Sequence, residues 1–301
     1  MTPQRIIGAG LAGLLAAHAW PNTPVIEAAS EPRAEHKALL RFRSDAVARL
    51  TGIDFRKVTV RKGIWHRGEY RSPTIALANA YSRKVTGALL PDRSIWNLDA
   101  AERFVAPNDF YERLVDHVGS RIQWATSDDF RNGPVISTAP LPIVLGSFGM
   151  LPVEFKRAAI EVLRFRIPHC DLFQTVYFPD PRISLYRASI TADLLIVERM
   201  AAPDSTPFSA LESDAIRLAF DVAPEYEVDR TTQQYGKIIP LDDTVRKSIL
   251  FGLTHDHNVY SLGRFATWRN VLLDDIVDDI GVIKRLLKTG DKFDVARARA
   301  L

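Results

Sequence analysis

The chain has 301 residues, of which 47% are hydrophobic and 25% are charged, a composition that indicates a globular protein and excludes a disordered one. Its 39 basic and 36 acidic residues give a formal net charge of +3, and the positive excess between Arg41 and Arg71 permits a phosphate-bearing ligand or a nucleic acid as partner. The single cysteine, Cys170, excludes an internal disulfide and a Cys-rich metal site and predicts a cytoplasmic protein, and no apolar run approaches the roughly 20 residues that span a membrane.

The first predicted unit covers residues 4 to 27. A short buried strand, Arg5–Ile7, precedes a glycine turn and an Ala/Leu-rich helix that runs to about Trp20. The turn residues 21 to 23 end that helix, and residues 24 to 26 form a second strand. Because two strands joined through a helix run parallel, this segment predicts one βαβ unit.

A glycine fingerprint lies between the first predicted strand and the helix. It is a complete G-x-G-x-x-G motif, made of Gly8, Ala9, Gly10, Leu11, Ala12 and Gly13. The first glycine permits a tight turn, the second lets the backbone approach a pyrophosphate, and the third allows the helix to pack closely on the sheet. The helix N-terminus then offers free N–H groups and a positive dipole end to the phosphates.

Glu27 supplies the second feature of a dinucleotide site. It stands nineteen residues after Gly8, at the end of the second strand, where a carboxylate can accept hydrogen bonds from ribose hydroxyls. The alternative is a glycine-rich turn in an unrelated α/β protein with a coincidental surface Glu. The order of strand, turn, helix, strand and acid favours a dinucleotide site, but this unit alone leaves FAD and NAD open.

Further elements are predicted along the middle of the chain. Alternating segments between residues 45 and 95, such as 57 to 60, predict antiparallel strands in a second region. Asn108 is predicted to cap a helix that starts with the amphipathic stretch 109 to 115. Residues 134 to 140, Pro-Val-Ile-Ser-Thr-Ala-Pro, predict a buried strand of the nucleotide-binding sheet.

The pattern of segments predicts two domains without an internal repeat. Alternation returns between residues 150 and 230, where the strand candidates are residues 173 to 178, 183 to 186 and 194 to 197. We expect a discontinuous nucleotide-binding domain and a substrate domain made of two separated stretches. The first would comprise residues 1–45, 96–150 and 231–301, and the second residues 46–95 and 151–230.

A Gly-Arg pair, Gly263 and Arg264, follows a short apolar strand near the C-terminus. It directly precedes a long helix predicted from about Asn270 to Leu287, and Trp268 lies in the same run as a further cofactor-binding candidate. A glycine here lets the backbone approach a ligand, and the N-terminus of the following helix could stabilise negative charge on a bound cofactor.

Together these segments resemble the superfamily of FAD-dependent amine oxidases and UDP-galactopyranose mutases. Its members pair an N-terminal glycine fingerprint with a C-terminal Gly-Arg segment that leads into a flavin-contacting helix, and the strand at residues 135 to 140 resembles their Ser/Thr-Ala-Pro strand beside the cofactor. The resemblance implies FAD as the cofactor. It also implies an α/β fold in which a Rossmann-type FAD-binding domain carries a smaller mixed α+β substrate domain.

The chain departs from that superfamily soon after Glu27. In place of the usual Gly-Gly-Arg turn it has Lys-Ala-Leu-Leu-Arg-Phe-Arg at residues 37 to 43. Arg41 and Arg43 alternate in an extended segment, so one or both reach the pyrophosphate, or both belong to a solvated basic strand. The short chain implies a trimmed substrate domain. In its proportions it resembles small phage-encoded FAD-dependent oxidoreductases, some of them linked to amino-acid-modified thymine in viral DNA.

Three side chains are candidates for catalysis. Lys237 could hold a water near the flavin N5, and the alternative is an exposed lysine at the start of a strand. His255 and His257 could act as acid or base, and as residues of a predicted strand they would share one face. Two histidines without further ligands do not make a metal site, so no metal is expected.

The leading functional hypothesis is an FAD-dependent oxidoreductase that oxidises a C–N bond of an amine, by hydride transfer to flavin N5 and hydrolysis of the imine. The amine would be a free amino acid or an aminoacyl group on a nucleobase in DNA. For the latter, residues 61 to 71 could supply phosphate contacts and stacking, and the alternative is that they form an ordinary solvated strand surface. The alternatives are a mutase-like enzyme acting on a nucleotide sugar, and a dinucleotide-binding module without catalysis. We expect a cytoplasmic protein, in the host cytoplasm if phage-encoded, and the oligomeric state stays open.

Overall fold

The computed structural model describes residues 1–28, 40–89, 95–125, 130–150, 153–201, 207–222 and 226–289. Within these ranges the chain forms two β-sheets, one of five strands and one of nine, and helices pack on both. None of the helices in these ranges is both long and apolar enough to cross a membrane. Residues 37 to 39 of the basic segment after Glu27 lie outside the described residues.

The two sheets are built from short and long strands that alternate with helices along the chain. The strands are β1 (Arg5–Ile7), β2 (Val25–Glu27), β3 (Arg41–Phe42), β4 (Arg56–His66), β5 (Glu69–Arg71), β6 (Ala101–Val105), β7 (Ile122–Trp124), β8 (Val135–Ser137), β9 (Arg157–Arg166), β10 (Phe173–Tyr177), β11 (Leu185–Thr191), β12 (Leu194–Met200), β13 (Tyr226–Ile238) and β14 (Val259–Ser261). The helices are α1 (Leu11–Ala19), α2 (Ala46–Thr51), α3 (Ile75–Thr86), α4 (Phe110–Val118), α5 (Leu141–Ser147), α6 (Ala210–Phe220), α7 (Asp243–His257) and α8 (Leu273–Thr289).

The five-stranded sheet contains the predicted βαβ unit. Its order is β14-β8-β1-β2-β7 and all its pairs are parallel, with Ile6 opposite both Val25 and Ile136. On one face, α1 packs against α4 and α8 around the fully buried Leu14 and Leu15. The strand predicted at residues 134 to 140 is confirmed as β8 of this sheet. Because the strands are parallel, the turns that follow β1, β8 and β14 meet at one edge.

The nine-stranded sheet has two chemically different faces. Its order is β13-β9-β12-β11-β10-β4-β6-β3, with β5 paired to β4, and its pairs are antiparallel except for β4 with β10. One face is apolar and packs on α6, with Val176 and Val197 fully buried. The other face carries polar side chains on its central strands and is partly covered by α3, whose Tyr81 ring lies 5.4 Å from that of Tyr177.

Two local predictions are wrong and one is incomplete. The predicted strand at residues 57 to 60 lies in β4, which pairs antiparallel with β5 and β6, but the region 45 to 95 also contains α2 and α3. α3 begins after Thr74, whose side chain accepts a hydrogen bond from the Leu77 N–H at 3.2 Å. Asp109, not Asn108, precedes the first residue of α4, and its side chain makes no capping hydrogen bond. The C-terminal helix begins only at Leu273, so a turn separates it from the Gly-Arg pair.

Sheet membership crosses the predicted domain boundaries at three strands. β3, β6 and the second half of β13 fall within stretches assigned to the nucleotide-binding domain, yet all three strands belong to the nine-stranded sheet. The other strands follow the predicted segments. The division of the chain into two domains itself stays a prediction.

Candidate functional site

The glycine loop after β1 is packed tightly at two of its three glycines. Gly8 has φ of +98°, and a Cβ there would overlap the Thr138 hydroxyl, which donates a hydrogen bond to the Ile7 carbonyl at 2.8 Å. A Cβ on Gly13 would overlap the carbonyl oxygen of Gly8. The fold therefore requires glycine at both positions whether or not a ligand binds.

Gly10 differs from its two neighbours in the motif because the fold does not require it. Its φ of −70° and ψ of 175° suit any residue, and a Cβ built there meets no atom within 4 Å. Gly10 is also the N-cap of α1, where it offers no side chain to the first N–H groups, and the first turn carries no acidic residue. This helix N-terminus faces open space that fits an anionic ligand such as a pyrophosphate.

Glu27 closes the other side of the loop. It is the last residue of β2, and its Oε2 accepts a hydrogen bond from the Ala9 N–H at 2.5 Å. The Ala9 carbonyl in turn accepts a hydrogen bond from the Tyr111 hydroxyl at 3.3 Å. The carboxylate thus lies at the glycine loop, where the sequence predicts a ribose contact, and it fixes the backbone of the loop as well.

The C-terminal Gly-Arg pair joins this site. Gly263 follows β14 at the same sheet edge with φ of +96°, and a Cβ there would lie 2.9 Å from the Ala12 Cβ in the first turn of α1. Arg264 donates a hydrogen bond to the Gly236 carbonyl at 3.1 Å. The pair therefore lies between the glycine loop and the end of β13.

Lys237 is the next residue on β13, and it is buried rather than exposed at a strand start. Only 6% of it is accessible, and its Nζ lies 4.3 Å from the centre of the Tyr186 ring. The Tyr186 hydroxyl donates to Glu198 at 3.1 Å, and Arg187 forms an ion pair with the same carboxylate. Burial alone would raise the pKa of Glu198, but Arg187 and Lys237 lower it below its usual value.

Three other predicted cofactor residues have their polar groups engaged elsewhere. The Arg41 guanidinium binds oxygens of the nine-stranded sheet, at 3.1 Å for Thr175 Oγ1 and 2.5 Å for Thr191 Oγ1. Arg43 forms an ion pair with Asp275. Trp268 is fully buried in the core, and its indole N–H donates to the Ile239 carbonyl at 3.0 Å. A contact of Arg41, Arg43 or Trp268 with a cofactor stays a prediction, and the hydrogen bonds and ion pair that these residues make within the protein do not support it.

The two predicted histidines are not brought to the site. They lie in the last turn of α7, so the expectation that they sit on a strand is wrong. Since α7 leads into the start of β14, both stand at the opposite edge of the sheet from the glycine loop. The His255 Nδ1 pairs with Asp256 at 2.7 Å, and the His257 ring stacks on Phe148 at 4.1 Å. Among the described residues, no group of three or more potential metal-ligating side chains is placed to hold a metal ion.

Sequence inspection missed several residues of the site. Thr138 fixes the glycine loop, and the only sequence signal for it is the Ser-Thr-Ala-Pro strand ending. Tyr186 lies beneath the Lys237 ammonium and Glu198 feels its charge, but the two residues come from β11 and β12 and approach Lys237 only through strand pairing across the sheet. A single sequence carries no signal for such a contact.

Comparison with known proteins identifies the fold. No family model and no curated protein sequence matches the chain. A reduced UDP-galactopyranose mutase matches with 15% identity and a TM-score of 0.66, over 100% of this chain and 97% of that chain. An aklavinone-11 hydroxylase solved with FAD and aklavinone matches with 14% identity and a TM-score of 0.52, over 95% of this chain and 63% of that one. The flavin-dependent halogenase CmlS matches with 16% identity and a TM-score of 0.55, over 100% and 61%.

These likenesses confirm the predicted fold class. The chain has an α/β fold in which a parallel, Rossmann-type sheet is joined to a second mixed sheet, as in the three flavoproteins. It spans less than two thirds of the hydroxylase and of the halogenase. At this level of identity the fold alone is shared, and activity has to be argued from the residues of the site.

Proposed function

We propose that the chain is an FAD-dependent oxidoreductase that holds FAD non-covalently against its glycine loop. The carrying observation is the open space at Gly10, in a loop where Gly8 and Gly13 admit no side chain. The fold does not need a glycine at this position, which is the uncapped N-terminus of a helix. A glycine here lets the backbone approach a pyrophosphate closely. The likeness to the three flavoproteins supports FAD over NAD.

Each group around the loop would contribute to holding the cofactor. The first N–H groups of α1 would bind pyrophosphate oxygens, and Glu27, fixed by Ala9, would accept hydrogen bonds from the ribose. Gly263 lets the C-terminal backbone pack against Ala12 in the first turn of α1, where any side chain would collide, and this packing would bring the segment close to the ligand. When bound, FAD supplies the redox chemistry by accepting two electrons from the substrate.

We further propose that the bond oxidised is a C–N bond of an amine. Such a reaction asks the protein chiefly to orient the amine, to exclude water and to control one proton. Lys237 supports this proposal, because its buried ammonium lies over the Tyr186 ring and its charge acts on Glu198, so it can hold a water or a proton at a fixed position. The amine would be a free amino acid or an aminoacyl group on a nucleobase in phage DNA.

A mutase-like reaction without net oxidation is the second candidate. It is favoured by the mutase structure, which aligns with this chain over nearly the full length of both. The two candidates differ in what they consume. An oxidase uses one equivalent of acceptor for each turnover, whereas a mutase needs the cofactor to be reduced beforehand and consumes no acceptor.

An anaerobic titration of the FAD-loaded protein separates the candidates. Free amines, amino acids, amine-modified DNA and a nucleotide sugar would each be added while the flavin absorbance is followed. Bleaching by one of the amines, with return of the absorbance on admission of oxygen, is expected. Isomerisation of the nucleotide sugar by dithionite-reduced protein, without bleaching by any amine, would reject the amine proposal in favour of the mutase.

A further inference from the structure

The polar face of the nine-stranded sheet concentrates positive charge. Strand register places Lys62 of β4 beside Thr175 of β10, and Tyr177 beside Arg187 of β11. Arg103 of β6 pairs with Val58, which is four residues before Lys62 and on the same side of β4. These side chains therefore project from one face, opposite the apolar face that packs on α6.

Among the described residues, Arg187 is the only one of these cations that forms an ion pair. Arg187 is neutralised by Glu198, but Arg41 binds only neutral oxygens, and its Nε is buried without a hydrogen-bond partner among the described residues. Lys62 makes no hydrogen bond or ion pair with any described residue. The Arg103 guanidinium donates to the Glu102 backbone carbonyl, and the Glu102 carboxylate pairs with Lys57. Within the described residues, the charges of Arg41, Lys62 and Arg103 are thus left for a ligand.

The cations also act on one another. Burial lowers the pKa of Lys62, Arg103 lowers it further, and only Asp99 opposes this effect. Burial, Arg187 and Arg103 together lower the pKa of Arg41 to about 10. Holding several positive charges close together at half-buried positions lowers the stability of the folded protein. Ligand-binding sites often contain such unfavourable clusters of charge.

This face is continuous with the candidate cofactor site. Glu198 connects the two, since it pairs with Arg187 on one side and acts on Lys237 on the other. Lys237 follows Gly236, whose carbonyl binds Arg264 beside the glycine loop. A substrate that reaches the cofactor from this side would pass over the cations.

We propose that Lys62 and Arg103, backed by Arg41 and Arg187, form a subsite that binds an anionic group of the substrate, a carboxylate or a phosphate. The proposal rests on the proposed function, because it takes the substrate to lie between this face and the cofactor. A small anionic molecule fits better than a nucleic acid backbone. Lys62 is half-buried, whereas the neighbouring Arg61 on the other face is exposed to a large partner.

The test measures binding of two anions, malonate and inorganic phosphate, to the FAD-loaded protein by calorimetry and by the shift of the flavin absorbance. Lys62→Met and Arg103→Met should each weaken binding of the preferred anion at least tenfold. Arg61→Met is the matched control, because it removes one charge from the adjacent residue on the opposite face, and it should change binding less than twofold. The preferred anion identifies the group as a carboxylate or a phosphate.

A thermal unfolding curve without ligand guards against a purely structural role. Removing Lys62 should leave the midpoint unchanged or raise it, because repulsion with Arg103 is relieved, whereas a structural cation would lower it. Three outcomes would overturn the subsite. The protein could bind neither anion, Arg61→Met could weaken anion binding as much as the other two variants, or the protein could prefer a short DNA duplex whose binding all three variants weaken equally. If the protein holds no FAD, the proposed function fails by itself, and calorimetry on the flavin-free protein still decides the subsite.

Discussion

Gly10→Val is the perturbation that separates ligand binding from folding most cleanly. The valine side chain would enter the open space at the start of α1, where its Cβ meets no protein atom, and the φ of −70° imposes no strain. The cost to stability should be about 1 kcal/mol, the usual penalty for a poor N-cap residue. A bound pyrophosphate, in contrast, would be pushed away from the helix N-terminus.

The expected loss of FAD affinity follows from the bonds that would be broken. Losing two hydrogen bonds to a charged group, at about 1.5 to 3 kcal/mol each, weakens binding by roughly 10²- to 10⁴-fold. The assay combines FAD titration by fluorescence quenching with thermal unfolding. Gly146→Val is the control, since Gly146 is exposed in α5 with equally open surroundings.

Gly13→Ala should instead lower the stability of the folded protein, because its Cβ would overlap the Gly8 carbonyl. Normal FAD affinity in Gly10→Val would refute the role assigned to the loop.

Three further predictions follow from the same contacts. Glu27→Ala should weaken FAD binding by about 1 to 3 kcal/mol in an FAD titration, since a charge-assisted bond to the ribose is lost, and an unchanged affinity would remove Glu27 from the site. Gly263→Leu should lower the flavin content of purified protein, because its side chain would collide with Ala12, and a full flavin content would show that the C-terminal segment lies away from the cofactor. Burial and the charges of His117, whose ring stacks on His18, and of Arg121 lower the pKa of His18 to about 4. Its contribution to stability is therefore present above pH 6.5 and is lost as pH falls towards 4. Because His18 is only half-buried, we expect this loss to be about 1 to 2 kcal/mol, and His18→Leu should flatten the curve of unfolding free energy against pH in that window.

The parts of the fold that were predictable are those defined by local signals. The glycine turn, α1 and the short strands β1, β2 and β8 have apolar runs bounded by Gly and Pro, and all were found from the sequence. β13 is not predicted because it is an edge strand with many exposed residues, and its sequence shows no regular alternation of apolar residues. α3 is not predicted because Ile75 is exposed in its first turn and the alternation of the surrounding segments indicates strands.

The candidate site shows the same division. Its glycine loop and Glu27 were predicted because both lie within one βαβ unit, where chain order determines position. The predicted position of the α7 histidines is wrong, because the segment before β14 is predicted as a strand and forms the last turn of a helix. The cationic face depends on the register of β4, β6, β10 and β11, and no spacing along the chain reveals which residues those strands bring together.

The cofactor content of the protein tests the central claim most directly. The purified chain would be dialysed against FAD and, separately, against NAD, and the bound nucleotide would be released by denaturation and quantified. We predict one FAD for each chain and no retention of NAD. We also predict that Gly10→Val loses the bound FAD, whereas the control Gly146→Val has an unchanged unfolding midpoint. A folded protein that retains no FAD, or that retains NAD instead, would contradict the account.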